Sequence, residues 1–363
     1  MKNVLKEVVG VDVAQKELVV TLGRMFEDLS IDLYAYKVFR NDEKGFGALL
    51  EWTKKLSDAD IQVQFVMEAT GVYHQKFAFY LHGQGCHVSI VLPNKISNYM
   101  RTLENRTITD KSCSQAIAQF GLERKLDHWN KPKKVYRMLQ QLTRERDQIV
   151  CDRAAIKNQV HAEKSEAEPN ERSLVRLEER IQLLNRQEKQ VKNDLRAIVE
   201  GDAVLKTQVE RICSIPGIGE LTAIIVLAET NGFELIRNRK QLSGYAGLDV
   251  REKQSGTSVK GKPRISKKGN RHIRKAMHLP SLSAVKHDRS FHDLYVRIVA
   301  KNGIKMKALV AVQRKLLEMI YVIHKSKQEY QKDYLDLKRG SALDLRDQYA
   351  TQASSGLPQE TKI

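Results

Sequence analysis

The chain has 363 residues, enough for two domains and a connector, and its 41% hydrophobic content is typical of a globular rather than a disordered protein. No apolar run approaches the roughly 18 residues that a membrane span needs, and the first residues lack the pattern of a signal peptide. The four cysteines lie far apart without a CxxC pair. This spacing argues against a zinc site or a disulfide framework and favours reduced thiols in the cytoplasm.

The net charge of +18 is concentrated in the later part of the chain. Residues 1–130 hold 16 Lys or Arg and 16 Asp or Glu, whereas the remaining residues hold 46 and 28. A neutral first part followed by a basic remainder predicts that the basic part meets a polyanion such as nucleic acid. The alternative is a basic surface that serves only solubility.

Residues 1–125 predict alternating strands and helices. Strands are predicted in VVGVDVAQ, ELVVTLG and LYAYKVF, followed by a helix in GFGALLEWTKKL, a strand in VQFVMEATGVY, a helix in QKFAFYLHGQG, a strand in HVSIVLP and a helix around residues 110–120. Three consecutive strands and then helix, strand, helix, strand, helix is the order of the RNase H-like fold. The sequence therefore favours an α/β RNase H-like domain at the front of the chain.

Three acidic residues stand out in this front domain. Asp12 lies in the apolar strand VGVDVA, Glu68 ends a second apolar strand, and Asp110 is placed near the start of a helix. Buried carboxylates are costly unless they are paired or bind a metal. The first and fourth strands of an RNase H-like sheet are neighbours, so the three side chains could hold one or two Mg²⁺ ions. The alternative is that Asp12 and Glu68 pair with buried Arg or Lys.

Residues 126–205 predict an antiparallel helical coiled-coil hairpin. A first heptad seam contains Val135, Leu139, Leu142, Ile149, Ile156 and Val160, with Arg146 and Arg153 at its other two positions. A second seam follows a turn at Pro169 and contains Leu174, Leu177, Ile181, Leu184, Val191, Leu195 and Ile198. Two such stripes with a short polar link predict paired helices. The hairpin would act as a lever arm or oligomerisation element, or simply as a spacer.

Residues 206–335 predict a mainly helical second domain, and the polar residues 336–363 predict a disordered tail. The turn IPGIG, with Gly217 and Gly219, precedes an apolar helix. Such a turn resembles a helix-hairpin-helix, in which glycines let backbone N–H groups approach a DNA phosphate. Pro-Gly turns between helices are also common without any such role.

The most basic part of the chain is residues 251–275, with ten Lys or Arg and a single acid, Glu252. Its glycines and serines predict a loop that wraps phosphates. The candidate phosphate ligands are Lys260, Lys262, Arg264, Lys267, Lys268, Arg271 and Arg274. Ser255 lies in this loop, where nearby cations would stabilise both its alkoxide and the phosphate that it attacks. By residue type alone, however, a serine in a loop rich in glycine and serine is ordinary.

The order of these motifs resembles that of the insertion-sequence 110 and 1111 transposases over nearly the full chain. The resemblance rests on GVDVAQKEL, MEATGVY, TDKSCSQAIAQFG, the paired helices, IPGIG and GYAGLDVREKQSGTSVKGKPRISKKGNRHIRKAM. It implies a RuvC-like front domain with an Asp-Glu-Asp-Asp metal site and a serine-containing transposase domain behind it. By position, Asp12, Glu68 and Asp110 match the first three acids, and Ser255 matches the nucleophilic serine.

The same resemblance implies partners. Similar transposases recombine double-stranded DNA, are guided by a structured non-coding RNA from the element's own ends, and work as homo-oligomers. In these oligomers a RuvC-like domain of one protomer and a serine domain of another meet at one active site. The residues of this chain do not show the RNA partner independently.

One position departs from the family pattern. The fourth acid is expected three residues after Asp110, and that position holds Cys113. Because Mg²⁺ prefers oxygen ligands, a thiol cannot replace a carboxylate there. We expect an active enzyme with three carboxylates, and the alternatives are a shell completed by Ser112, Ser114 or water, or an impaired copy.

The function predicted from the sequence is therefore DNA cleavage and rejoining by a metal-assisted serine nucleophile. One alternative enzyme is a RuvC-like junction nuclease that uses metal-activated water. A decayed transposase that only binds nucleic acid is the alternative without enzymatic activity.

Overall fold

The computed structural model describes residues 3–69, 71–103, 107–252, 254–255, 259–261 and 263–331. Of residues 254, 255, 259, 260 and 302 it describes the backbone alone. Lys262 and the tail 336–363, which the sequence predicts to be disordered, lie outside the described residues. The described residues form two compact units, which divide between Lys131 and Pro132.

The first unit contains one mixed β-sheet of five strands. The strands are β1 (Val4–Val13), β2 (Glu17–Phe26), β3 (Ile31–Arg40), β4 (Gln64–Glu68) and β5 (His87–Val91). Their order in the sheet is β3-β2-β1-β4-β5. The first three strands pair antiparallel, whereas β4 pairs parallel to both β1 and β5. This is the RNase H-like arrangement that the sequence predicts, with the first and fourth strands side by side.

Helices cover both faces of this sheet. They are α1 (Glu43–Leu56), α2 (His74–Gly83), α3 (Pro93–Met100) and α4 (Asp110–Glu123). Val9 and Val11 of β1 belong to a core with residues of α1 and α2, while Val8 packs with residues of α3 and α4. Because both faces are buried, residues 8–11 in the middle of β1 are all apolar rather than alternating with polar residues. Helix α3 is absent from the sequence prediction, since only Ile96 and Tyr99 form its buried stripe.

The second unit begins with two long helices, α5 (Lys134–Lys164) and α6 (Glu171–Glu200). They run antiparallel, since Arg146 pairs with Glu188 and Lys164 pairs with Glu178. Six of the predicted seam residues are buried: Leu139, Ile149, Ile156, Leu174, Val191 and Leu195. The base of this hairpin shares one hydrophobic core with the helices that follow.

The remaining helices of the second unit are α7 (Ala203–Cys213), α8 (Glu220–Glu229), α9 (Arg239–Tyr245), α10 (Arg271–Ala276), α11 (His278–His287), α12 (Arg289–Asn302) and α13 (Lys305–Ser326). No helix among the described residues is both long and apolar enough to span a membrane. With these seven helices, the described residues of 206–331 are mainly helical, as the sequence predicts.

The prediction of a loop between α9 and α10 is wrong in one respect, because this segment contains short β-strands. Four short strands occur there, β6 (Val250–Arg251), β7 (Gln254–Ser255), β8 (Val259–Lys260) and β9 (Arg264–Ile265). β6 pairs antiparallel with β9, and β7 pairs antiparallel with β8. Three of the four strands contain a β-branched Val or Ile, which favours extended backbone. Strands of two residues are too short to show a period of two in the sequence.

Candidate active site

Asp12 and Glu68 lie next to each other on one face of the sheet. The last parallel pair between β1 and β4 is Val11 with Met67, so Asp12 and Glu68 each follow that pair by one residue. Val11 and Met67 belong to the core with α1 and α2, and successive side chains of a strand point to opposite faces. Asp12 and Glu68 are therefore on the opposite face, the one that α4 covers.

Gly10 lets α4 approach β1 closely. A Cβ atom at this position would lie 2.3 Å from the backbone nitrogen of Ala118 and 2.5 Å from the carbonyl oxygen of Ser114. The hydroxyls of Ser114 and Thr21 share a buried hydrogen bond of 2.8 Å, and Thr21 pairs with Gly10 across the sheet. This contact fixes the start of α4 beside the strand that carries Asp12.

Asp110 is the first residue of α4. Thr109 caps the helix by accepting a hydrogen bond from the backbone N–H of Ser112, and the Ser112 hydroxyl accepts one from the backbone N–H of Thr109. The cap sets where the helix begins and so places a carboxylate in its first turn, where the helix dipole favours negative charge. Cys113 follows three residues later on the same face.

The electrostatics indicate that these groups lie near one another. Burial raises the pKa of Asp12 to about 6, with further contributions from the negative charges of Asp110 and Glu68 and an opposing hydrogen bond from the Val13 backbone. Burial also raises the pKa of the Cys113 thiol, and so do the charges of Asp12, Asp110 and Glu68. The three predicted acids and Cys113 therefore interact as one cluster.

The donor chemistry of this cluster suits a hard divalent cation. Carboxylate oxygens are the preferred ligands of Mg²⁺, and a cation would offset both the burial and the mutual repulsion of the acids. The side chains are not already arranged as a binding site, however. Among the residues that the structure describes, no group of three His, Cys, Asp or Glu side chains has the geometry to hold a metal ion. The metal-ligand assignments of Asp12, Glu68 and Asp110 remain predictions.

The second unit carries the other predicted site residues. Ser255 is in β7, where its backbone pairs with Val259, and Lys260 is in β8. Arg264 in β9 is exposed, as are Lys267, Lys268 and Arg271. Arg274 differs from them, because it is half-buried and its Nη1 donates a hydrogen bond of 2.7 Å to the carbonyl oxygen of Ala246. One nitrogen of this guanidinium therefore makes a hydrogen bond within the protein.

The two glycines of the IPGIG turn have different surroundings. Gly217 has a φ of +89°, and a Cβ atom there would lie 2.6 Å from the carbonyl oxygen of Pro280 and 2.8 Å from the backbone nitrogen of Ala284. Its close approach is therefore to α11 of the same unit, a packing role that the sequence did not indicate. Gly219 is the exposed cap of α8 and has no neighbouring atom within 4 Å of its Cβ position.

Sequence reasoning missed the residues that position these groups. Gly10 is the nearest to a recognisable signal, since a glycine inside an apolar strand indicates a close backbone approach.

Comparison with known families identifies the chain. A family model described as Transposase IS116/IS110/IS902 family matches residues 209–296, which include Ser255. A second model, of the DEDD transposases of IS110, matches residues 9–163, which include Asp12, Glu68 and Asp110. The chain belongs to the IS110 family of transposases. The family resemblance predicted from the sequence is confirmed, and the protein is a DNA transposase or recombinase.

Two relatives extend the similarity over most of the chain. A pilin gene-inverting protein of Moraxella bovis is 26% identical over 339 residues, which cover 90% of this chain and 98% of that protein. The transposase for insertion sequence element IS1111A of Coxiella burnetii is 23% identical over 297 residues, 73% of this chain and 78% of that one.

One solved structure matched by comparison is T. thermophilus RuvC in complex with a Holliday junction substrate. It is 10% identical and covers 34% of this chain and 99% of the RuvC chain, with a TM-score of 0.27. The RNase H-like assignment rests on the strand order of the sheet and on the family match.

Proposed function

We propose that this transposase cuts and rejoins DNA through a covalent bond to Ser255, with Asp12, Glu68 and Asp110 binding Mg²⁺. The observation that carries the proposal is the half-buried Asp12, whose charged neighbours are two further carboxylates. Such a cluster is unfavourable without a cation and is typical of a site that binds one. Bound there, Mg²⁺ would neutralise a phosphate and stabilise charge on the oxygens of the scissile bond.

The chemistry of the serine is a balanced exchange of phosphodiester bonds. The Ser255 hydroxyl loses its proton as its oxygen attacks phosphorus, an O–P bond to serine forms, and the P–O bond to the leaving strand breaks. The leaving oxygen takes up a proton. A hydroxyl of the new strand then attacks the phosphoserine and releases Ser255, so the bond energy is conserved. Lys267, Lys268 and Arg271, all exposed, would hold neighbouring phosphates.

The proposed partners are double-stranded DNA, a structured guide RNA and further copies of the chain. The excess of basic residues after position 131 suits either nucleic acid. The names of the two relatives, a gene-inverting protein and an insertion-sequence transposase, both describe DNA rearrangement. A serine link that stores the energy of the broken bond would suit a reaction that cuts and rejoins strands without an external energy source.

Replacing Ser255 tests the mechanism. We expect Ser255→Ala to bind nucleic acid but to give no denaturation-resistant protein–DNA adduct and no recombined product. Ser255→Cys should keep a trace of activity, since a thiolate is nucleophilic but places its sulfur differently. The matched control is Ser290→Ala, which removes an exposed serine hydroxyl elsewhere in the same unit and should form the adduct normally.

Each rival function gives a different result in this assay. If the protein is a junction nuclease that uses metal-activated water, the Ser255→Ala variant should cut DNA normally. A fully active Ser255→Ala variant would therefore overturn the serine mechanism. A decayed transposase would give neither adduct nor metal-dependent hydrolysis with the wild-type protein.

The guide RNA and the oligomer are tested separately. Transcripts of the non-coding DNA that flanks the gene should bind the protein, and adduct formation should require them. In a mixture of Ser255→Ala and Asp12→Asn proteins, partial recovery of activity would support catalytic groups supplied by different protomers. No recovery would favour groups supplied by a single chain.

A further inference from the structure

Glu229 is a buried carboxylate at the end of α8, with only 1% of its surface exposed. A negative charge is disfavoured at the C-terminal end of a helix, so its presence there needs compensation. Three side chains supply it. Arg144 donates from Nε to Oε1 at 2.7 Å and from Nη2 to Oε2 at 2.8 Å, Gln140 donates to Oε2 at 3.2 Å, and Asn270 donates to Oε2 at 2.6 Å.

These contacts keep Glu229 ionised. Burial alone would raise the pKa of its carboxyl, but the hydrogen bonds from Arg144 and Asn270 and the charge of Arg144 outweigh burial and lower the pKa. The carboxylate is therefore a fixed charge inside the second unit, bound from one side by α5 and from the other by the residue that precedes α10.

Asn270 connects this carboxylate to the segment that carries Ser255. Its side-chain oxygen caps α10 by accepting from the backbone N–H groups of His272 at 2.9 Å and Ile273 at 3.1 Å. Its own backbone N–H donates to the carbonyl oxygen of Tyr245 at 2.6 Å. One asparagine thus holds together Glu229, the end of α9 and the start of α10.

The two ends of the Ser255 segment meet at this point. The backbone N–H of Lys267 donates to the carbonyl oxygen of Gly247 at 3.1 Å. Gly269 packs so tightly on Tyr245 that a Cβ atom would lie 2.4 Å from the tyrosine's carbonyl oxygen. The Tyr245 hydroxyl donates to the backbone carbonyl of Glu229 at 2.9 Å. Both ends of the segment are therefore tied, directly or through Asn270, to residue 229.

We infer that Glu229 is a positioning residue for the transposase reaction. With Arg144 and Asn270 it fixes the two ends of residues 248–266 and so sets where Ser255 meets the phosphate that it attacks. Because Glu229 is buried, it would act through its neighbours rather than by contact with DNA. This inference rests on the proposed nucleophilic role of Ser255.

Glu188 provides a matched control for ordinary structural effects. It is also a buried glutamate in the same unit, 6% exposed, and it is bound by Arg146, Arg153 and Lys192. All three partners lie on α5 or α6, so its loss would weaken the unit without touching the ends of the Ser255 segment.

The test compares Glu229→Gln with Glu188→Gln in the full-length protein with its nucleic acid. The measurements are the rate of adduct formation at saturating DNA, the DNA affinity, and hydrogen exchange at the amides of Lys267 and Asn270. For Glu229→Gln we expect a rate lower by about 10- to 100-fold, an affinity close to wild type and faster exchange, because misplaced reacting groups lower the rate more than binding. Glu188→Gln should leave the adduct rate and both amides unchanged.

Equal losses in the two variants would show general destabilisation and overturn the inference, as would a normal adduct rate in Glu229→Gln. If Glu229→Gln does not fold, Asn270→Ala serves instead, since it keeps the Arg144 pair and removes the hydrogen bond to Glu229 together with the cap of α10. An unchanged adduct rate in that variant would also overturn the inference. A wild-type protein that forms no adduct through Ser255 would refute the proposed function itself. That result is distinguishable from the outcomes for the Glu229→Gln and Asn270→Ala variants.

Discussion

Carboxylates that are wholly or partly buried have opposite electrostatic surroundings in the two units of this protein. In the first unit, Asp12 has Asp110 and Glu68 as its charged neighbours, and its pKa is raised to about 6. In the second unit, Glu188 is bound by three cationic side chains, and its pKa is lowered to about 2. The internally paired acids of the second unit serve the fold. The acids near Asp12 are the ones that we propose bind a cation from outside, and the direction of the pKa shift distinguishes this proposed site from a structural ion pair.

The largest expected effect is on activity at the front cluster. Asp12→Asn should lower the rate of adduct formation by about 10²- to 10³-fold, because a metal-positioned phosphate is lost while the DNA-binding cations remain. A single-turnover assay at saturating DNA measures this rate. Mg²⁺ should raise the melting temperature of the wild-type protein and not that of the variant, since only a ligand that binds the folded state stabilises it. An unaffected adduct rate would remove Asp12 from the catalytic site.

The same chemical change should have the opposite effect on stability in the two units. In metal-free protein, Asp12→Asn should raise the melting temperature at neutral pH, because it removes a charge that burial and two neighbouring carboxylates disfavour. Glu188→Gln should lower the free energy of unfolding by about 3 kcal/mol, since it leaves Arg146 and Arg153 without their buried partner. Thermal melts measure the first change, and denaturant titrations measure the second. Destabilisation by both substitutions would mean that the Asp12 cluster is an internal structural network.

Acid titration should sharpen the contrast further. Glu188 has a pKa near 2 in the folded protein and an ordinary value of 4.5, because hydrogen bonds from Lys192, Arg153 and Arg146 outweigh its burial. A lowered folded pKa contributes stability above the ordinary value and loses it as the pH falls. We expect a loss of about 2 kcal/mol between pH 4.5 and pH 2 in the wild-type protein. Glu188→Gln should lack this part of the slope, and an identical slope in both proteins would contradict the pairing.

The smallest expected effect concerns salt. Replacing Lys267, Lys268 and Arg271 together by Gln should reduce the slope of log affinity against log salt by roughly 3, since each phosphate contact releases about one counterion. Arg274 is left in place because it bonds to the backbone of Ala246. A matched triple replacement of Lys16, Lys44 and Lys76, in the neutral front part of the chain, should leave the slope unchanged. Equal changes in both triples would mean that charge alone, and not its position, governs binding.

The sequence could predict features whose signals are local. The order of strands and helices was visible because each element shows its own apolar pattern, and Asp12 and Glu68 stood out as acids in apolar strands. The ladder of β7 with β8 was missed because strands of two residues show no period. The partners of Glu188 could not be read from the chain, although Arg146 and Arg153 were placed at seam positions and Glu188 sits between Leu184 and Val191 of the other seam. Glu229 offered even less, since Arg144 precedes it by 85 residues and Asn270 follows by 41.

Gly10 gives the front cluster a weak point that lies outside its chemistry. Any side chain at this position would push against the backbone of α4 at Ala118 and Ser114, and the helix would have to shift or tilt. Asp110 and Cys113 would then move with it, although every carboxylate would still be present. Random mutagenesis of the gene should therefore yield inactive copies altered at this glycine, with all the acids intact. A naturally silent copy could be recognised by the same change, even where an inspection limited to the catalytic residues would judge it functional.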